Sequence, residues 1–158
     1  MSSRTKLHLV GLGFATLGAL TAASGAFAEG AEQKAIEQRQ ALFKEIKTAF
    51  EPVGDMVKKK IAYDAAVVQD SAAKLATLAP KIPDAFAVDT HAVTGVKTKA
   101  RENIWTSMPD FKAKSEALVK SIEGLAAAGK SGDEKALRPA FAGVGKACSA
   151  CHDSYKDS

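Results

Sequence analysis

The chain has 158 residues, of which 46% are hydrophobic, and its 22 basic and 18 acidic side chains give a formal net charge of +4. This length is enough for one domain with a sizeable core. The charge is small and the sequence contains no basic tract or basic patch interleaved with aromatic residues, which argues against nucleic acid as a partner.

The first 28 residues have the pattern of an export signal. Arg4 and Lys6 form a short basic start, an apolar run without acidic residues covers 7–23, and Ala26-Phe27-Ala28 supplies a cleavage motif. The alternative is a retained membrane anchor, but glycine, threonine and histidine interrupt the run, which makes it poor for a spanning helix of about 20 apolar residues. We therefore predict a cleaved signal peptide over 1–28, a mature domain over 29–158 and a protein that is not membrane-embedded.

The mature region is predicted to be all-α, with four amphipathic helices and no convincing strand. The first helix has apolar residues at steps of three and four, with one gap at position 39, and it should bend at Pro52 and Gly54 rather than end there. Its apolar stripe is formed by Ile36, Phe43, Ile46, Phe50, Val53 and Val57. The second helix is expected from an N-cap at Asp64 to Pro80.

A connection without periodicity covers 81–97, and a loop of that length suggests a crossover around something bulky. A turn over 104–108 and a third helix follow, with a capping box at Ser107 and Asp110 and a stop at Gly129. The fourth helix is expected to open at Ser131 to Glu134, with Pro139 as an awkward insertion near its start.

The fourth helix carries the most informative motif of the chain, Cys148-Ser149-Ala150-Cys151-His152. A C-x-x-C-H run is the attachment site of c-type haem, in which two thiols bond to the porphyrin and the histidine ligates the iron. Both cysteines fall on the inward stripe with Leu137, Phe141, Val144 and Tyr155, which places the haem inside the bundle. Haem of this type is attached on the oxidising side of a bacterial inner membrane, so a periplasmic location is expected.

Two other interpretations of the cysteines are weaker. A redox dithiol requires a βαβ setting, and no strand is predicted near the motif. A structural zinc site requires four ligands, and only His91 is available to complete the set formed by the two cysteines and His152.

The ligand on the opposite face of the iron decides the function. Met56, Met108 and His91 are the candidates, but Met56 lies outside its helix stripe, Met108 suits the core, and His91 lies in the long connection. None is convincing, so an open or sterically guarded iron is predicted.

Arg39 occupies the gap in the first stripe, where an apolar side chain is expected. An inward guanidinium needs an anionic partner, and a haem propionate could pair with it bidentately. The alternative is that Arg39 extends to solvent near the helix end. If Arg39 holds a propionate, then Phe43, one turn along the same face, should lie over the ring near the iron.

The whole mature sequence resembles cytochrome c′, the high-spin branch of the class II c-type cytochromes. The resemblance rests on the C-terminal haem motif with its flanks (144–155), the segment 38–43, the turn 63–66 and the Ile104-Trp105 pair. It implies an antiparallel four-helix bundle, often a homodimer through the first two helices, with one five-coordinate haem c attached through Cys148 and Cys151.

The resemblance also implies roles for residues around the haem. A bulky apolar residue at the position of Phe43 covers the distal face, whereas a methionine there ligates the iron in low-spin relatives. Arg39 and Gln40 would contact a propionate. Phe86 and Trp105 would wall the pocket, although both also suit ordinary core or loop packing.

One position departs from the family pattern. Four residues past the haem histidine the family commonly has arginine, and this chain has Lys156. Lysine makes one flexible contact where arginine offers a planar fork, so behaviour on the proximal side of the iron is open.

The expected function is binding of nitric oxide and carbon monoxide at a guarded iron, with redox cycling in support. The alternative is an electron-transfer cytochrome that exchanges electrons with periplasmic or membrane partner proteins. An enzyme such as a peroxidase is not expected, because Phe43 offers no distal acid or base.

Overall fold

The computed structural model describes residues 22–158. Five α-helices follow one another in the order α1 (Ala22–Val57), α2 (Ala65–Leu78), α3 (Asn103–Thr106), α4 (Met108–Ser131) and α5 (Glu134–Tyr155). Two short 3₁₀ turns, Ala79–Lys81 and Asp84–Phe86, interrupt the connection between α2 and α3. The basic start and most of the apolar run of the predicted signal peptide lie outside the described residues, and its predicted cleavage motif falls within α1.

The four long helices form an antiparallel bundle, as the sequence predicts. Each packs against two neighbours, so that α1, α2, α4 and α5 close into a ring. The core between them is formed by apolar side chains of all four long helices, which are buried: Ile46, Val53, Val68, Leu75, Phe111, Leu118, Ile122, Leu125, Leu137 and Val144. None of the described helices combines the length and the apolar character that crossing a membrane requires.

The start of α2 agrees with the prediction, because the Asp64 side chain accepts hydrogen bonds from the backbone N–H groups of Ala66 and Val67. The predicted start of α4 is only half right. Ser107 is the N-cap residue, but within the described chain its side chain makes no capping hydrogen bond. At α5, the Asp133 carboxylate caps the helix by accepting from Lys135 N–H.

The predicted end of α4 at Gly129 is wrong. The helix continues to Ser131 and ends at Gly132, which has the left-handed conformation (φ +68°) that glycine adopts without strain. Gly129 is instead buried where α4 approaches α2. A Cβ there would lie 3.1 Å from the backbone nitrogen of Gln69 and 3.1 Å from Val68 Cγ1.

Pro52 and Pro139 both lie inside helices rather than at helix ends. α1 continues through Pro52 to Val57, as predicted, and α5 begins at Glu134 and includes Pro139. Met56 differs from the expectation of a residue outside the stripe, because it is only 3% exposed and belongs to the core. The prediction left Met56 out because it counted only residues at steps of three and four. The buried face of α1 is wider than a single stripe of that spacing.

Candidate haem-binding site

The C-terminal half of α5 presents the two cysteines toward the bundle. Cys148 and Cys151 are half-buried and pack against the core, and their stripe neighbours Val144 and Tyr155 are buried. Residues three apart lie on one face of a helix, so both thiols can reach one edge of a planar group. His152 is exposed beside them.

The electrostatics of the motif argue against a redox dithiol and suit iron ligation by His152. Burial raises the pKa of both thiols, Cys148 and Cys151. A redox dithiol shows the opposite shift, since it depends on a lowered pKa to supply thiolate. The pKa of His152 is lowered, first by desolvation and then by the charge of Lys156, which favours the neutral imidazole that a metal requires.

The register between α1 and α5 is set at the far end of the bundle. The rings of Phe50 and Phe141 stack there, with centroids 4.9 Å apart and an interplanar angle of 14°. Arg138 Nη2 donates to the Val57 carbonyl at 3.4 Å, so the two helices run antiparallel.

This register brings the predicted site residues of α1 level with the C-x-x-C-H motif. Phe43 is seven residues from Phe50, and Cys148 is seven residues from Phe141, in each case about 10 Å along the helix. By the same counting, Arg39 and the haem-motif histidine are each eleven residues from that stacked pair.

Arg39 is buried, with only 4% of its surface exposed, which excludes the alternative that it extends to solvent. Its Nε donates to the Ala85 carbonyl at 3.2 Å, and its Nη2 donates to Thr90 Oγ1 at 3.1 Å. The guanidinium carbon lies 4.1 Å from the ring centroid of Phe86 and 5.5 Å from that of Trp105. Burial lowers the pKa of Arg39 and the nearby Asp89 charge opposes this shift.

One atom of Arg39 indicates what the site binds. Nη1 is buried and has no hydrogen-bond partner anywhere in residues 22–158. A buried guanidinium nitrogen without a partner is costly, and a carboxylate is the group that best satisfies it. The residues present therefore fit a haem, which brings propionate carboxylates to an apolar pocket.

Aromatic side chains surround Arg39. Phe43 meets the Phe86 ring edge-on, with centroids 6.2 Å apart, and Phe86 meets Phe111 at 4.8 Å. Trp105 Nε1 donates to the Phe86 carbonyl at 2.8 Å, which fixes the indole against the 3₁₀ turn. Phe86 and Trp105 thus serve as core and loop anchors while they also lie beside Arg39.

Gln40 lies away from Arg39, on the exposed side of α1. Its Nε2 donates to the Lys97 carbonyl at 2.8 Å and so holds the long connection against the helix. The Gln40 side-chain amide is thus bonded to the backbone, and the side chain would have to rotate to contact a propionate.

The three candidates for a second iron ligand are dispersed. Met56 lies 13 residues, about 20 Å, along α1 from Phe43 and belongs to the core at the other end. Met108 is the first residue of α4 and packs against the core. His91 is exposed, and its Nδ1 lies 2.8 Å from Asp89 Oδ1, an interaction that raises the pKa of His91. Among the described residues no three His, Cys, Asp or Glu side chains come together as a metal site, which argues against the zinc interpretation.

The residues that hold the end of α5 were missed by sequence reasoning. Arg101 Nη1 donates to the Asp153 carbonyl at 3.1 Å, and Asn103 Nδ2 donates to the Ser154 carbonyl at 3.1 Å. Lys156 follows the helix in an extended conformation and forms an isolated antiparallel bridge with Ala100. These side chains satisfy the last helix carbonyls next to the haem motif. No local pattern marks them, because their partners lie some 50 residues away.

Comparison with known proteins shows similarity to one family over most of the chain. The sequence profile of the family described as Cytochrome C′ matches residues 34–156. Cytochrome c′ of Rubrivivax gelatinosus is 34% identical over 123 residues, covering 78% of this chain and 94% of that protein. Cytochrome c′ of Rhodopseudomonas palustris is 34% identical over 147 residues, covering 92% of this chain and 96% of the relative.

Solved structures give the same result. Cytochrome c prime of Shewanella frigidimarina superposes with a TM-score of 0.73 at 36% identity, covering 80% of this chain and 97% of that structure. A nitric oxide complex of a variant of the Alcaligenes xylosoxidans protein superposes with a TM-score of 0.71 at 33% identity and the same coverage.

Proposed function

The chain belongs to the cytochrome c′ family, and we propose that it is a periplasmic c-type haem protein that binds nitric oxide and carbon monoxide at a site guarded by Phe43. Haem c is the cofactor of this family, and the only two cysteines of the chain, three residues apart, are consistent with its attachment. When bound, haem c supplies an iron to which a diatomic gas can bind.

The chain's own residues have distinct roles in this proposal. Cys148 and Cys151 hold the porphyrin by thioether bonds, and His152 ligates the iron through a neutral imidazole. Arg39 pairs with a propionate through its free Nη1, and Gln40 turns from Lys97 to assist it. The aromatic wall of Phe86 and Trp105 excludes water from the apolar side.

Phe43 controls access to the iron. Its position level with Cys148, on the helix that faces α5, is the single observation that carries the proposal. A benzyl ring cannot ligate iron, so no side chain at this position completes the coordination. With haem bound, movement of the Phe43 ring would admit a small neutral gas, and the ring would exclude larger or charged molecules. The nitric oxide complex of the Alcaligenes xylosoxidans relative supports this choice of ligand.

The test replaces Phe43 with a residue that can ligate. Wild-type ferrous holoprotein is expected to show a broad, high-spin visible spectrum that changes when carbon monoxide is added. Phe43→Met is expected to give sharp low-spin bands and to lose the response to carbon monoxide, because the thioether occupies the binding position.

The matched control is Phe50→Met, two turns along the same helix, where the ring stacks on Phe141 instead of facing the haem motif. That variant should keep the wild-type spectrum and bind carbon monoxide. A Phe43→Met protein that remains high-spin would mean that residue 43 does not face the iron.

The second candidate is an electron-transfer cytochrome with periplasmic or membrane redox partners. It requires a six-coordinate iron whose ligands change little on reduction. The wild-type spectrum separates the two functions, since sharp bands without a carbon monoxide response would favour electron transfer. We propose no enzymatic activity, because Phe43 offers no group for acid or base catalysis.

A further inference from the structure

The long connection between α2 and α3 reaches back to α1 through one buried hydroxyl. Thr90 is only 1% exposed, and its Oγ1 accepts the hydrogen bond from Arg39 Nη2 at 3.1 Å. The backbone forms a turn at Thr90, in which Val93 N–H donates to the Thr90 carbonyl at 3.3 Å. A buried threonine whose hydroxyl serves an arginine is not explained by core packing.

The contacts of Arg39 leave one orientation for its guanidinium. Ala85 and Thr90 engage two of its five N–H groups, and Phe86 lies against its flat face. Of the three N–H groups that remain, the two on Nη1 are buried and have no partner within the described residues. An arginine side chain has several rotatable bonds, so loss of the acceptor at position 90 would loosen the orientation that Ala85 and Phe86 alone then support.

We infer that Thr90 is a positioning residue that aims Arg39 at a haem propionate and thereby raises the reduction potential of the haem. This inference rests on the propionate contact of the proposed function. Ferric haem carries one more positive charge than ferrous haem, so an uncompensated carboxylate favours the ferric state. A guanidinium held against that carboxylate cancels its charge in a site of low dielectric.

The test compares reduction potentials of the purified holoproteins between pH 5 and pH 9. Thr90→Val keeps the shape and removes the acceptor, so the potential should fall. The pH at which the potential begins to change should rise, because the propionate then ionises less readily. Thr90→Ser keeps the hydroxyl and should restore wild-type values. Thr94→Val is the matched control, since Thr94 is an exposed residue of the same connection and lies outside the contacts of Arg39. It should leave the potential unchanged.

Arg39→Gln separates failure of this inference from failure of the proposed contact. If Arg39→Gln lowers the potential while Thr90→Val does not, the positioning role is wrong and the propionate contact stands. If neither variant shifts the potential, both are wrong. Equal shifts in Thr90→Val and Thr90→Ser would assign the effect to packing and overturn the role of the hydroxyl. Should Thr90→Val not yield holoprotein, Thr90→Ala removes the same acceptor and carries the same expectation.

Discussion

Two buried tyrosine hydroxyls have opposite surroundings in this protein. Tyr155 is 5% exposed, and its hydroxyl donates to Asp110 Oδ2 at 2.5 Å, which ties the end of α5 to the start of α4. Burial, followed by the Asp110 hydrogen bond and charge, raises the pKa of Tyr155 to about 12. The hydroxyl of Tyr63 is buried without a hydrogen-bond partner in the described chain.

Tyr155→Phe is therefore expected to lower the free energy of unfolding by about 0.5–1.5 kcal/mol at pH 7, since it removes the hydrogen bond to the exposed Asp110 carboxylate. The folded pKa lies above the unfolded value near 10, so the tyrosine's contribution is complete below pH 10 and is lost as pH rises toward 12. Urea unfolding at pH 7, 10 and 11.5 should show the gap between wild type and variant narrowing. Tyr63→Phe, which removes an unpaired hydroxyl, should be neutral or stabilising, and an equal loss in both variants would contradict this account.

Single residues differ in how far sequence reveals their role. Arg39 was recognisable because it breaks an apolar period, and a charge in a buried stripe has few explanations. Thr90 was not recognisable, because a threonine in an aperiodic segment looks like any loop residue until its partner on α1 is known. Sequence marks the residue that violates a pattern and leaves its tertiary partners unmarked.

At the scale of helices, α2 and α4 approach each other closely at one point. Gly129 allows it, since the space that a Cβ would occupy lies 3.0 Å from Gln69 Cγ and 3.1 Å from the Gln69 backbone nitrogen. The Gln69 side chain also donates to the Gly129 carbonyl at 3.3 Å.

Gly129→Ala should separate these helices and lower the free energy of unfolding by about 1–3 kcal/mol, because backbone cannot yield to the new methyl group as a side chain can. Gly124→Ala is the matched control five residues earlier on the same helix. Gly124 is exposed with no heavy atom of a neighbour within 4 Å, so alanine there should stabilise by about 0.5–1 kcal/mol. Chemical denaturation of both variants measures the difference, and a neutral Gly129→Ala would refute the close approach.

The two glycines near the end of α4 show why helix existence was predictable and helix ends were not. Sequence offered Gly129 as a stop because glycine often follows a helix. Gly132 is the residue that ends α4, whereas Gly129 allows α4 to approach α2 closely, which is visible only once the helices are packed. The same holds at Ser107, where a capping-box pattern is present without a capping hydrogen bond.

For the whole molecule, apolar periodicity was enough to predict an all-α bundle with the cysteines turned inward, because each stripe must find a partner. Apolar periodicity could not predict the register between the helices. The level of Phe43 with Cys148 depends on where Phe50 meets Phe141, and no feature of either sequence segment specifies that meeting.

The predicted export and attachment have a direct test on the secreted protein. Its intact mass should equal residues 29–158 plus one covalently bound haem. A variant with Cys148→Ala and Cys151→Ala should have the mass of the polypeptide alone, since no other thiol is available. Retention of residues 1–28 would contradict the cleaved signal, and a wild-type protein of bare polypeptide mass would contradict haem attachment.

The remaining property of the whole molecule is its assembly, which the family resemblance predicts to be a homodimer through α1 and α2. The outer face of these helices carries a shallow groove lined by Ala41, Lys44, Glu45, Thr48, Ala49, Lys74, Thr77 and Leu78. Small side chains at its centre permit two copies of the face to approach closely, and charges of both signs can pair across a two-fold axis.

Ala41→Glu should prevent this association, because it introduces a bulky like charge that meets its own copy across the axis. Sedimentation equilibrium of the holoprotein should give twice the monomer mass for wild type and the monomer mass for Ala41→Glu. Ala127→Glu, the same substitution at an exposed position of α4, should remain dimeric. A monomeric wild type, or dissociation by both variants, would show that α1 and α2 do not form the interface.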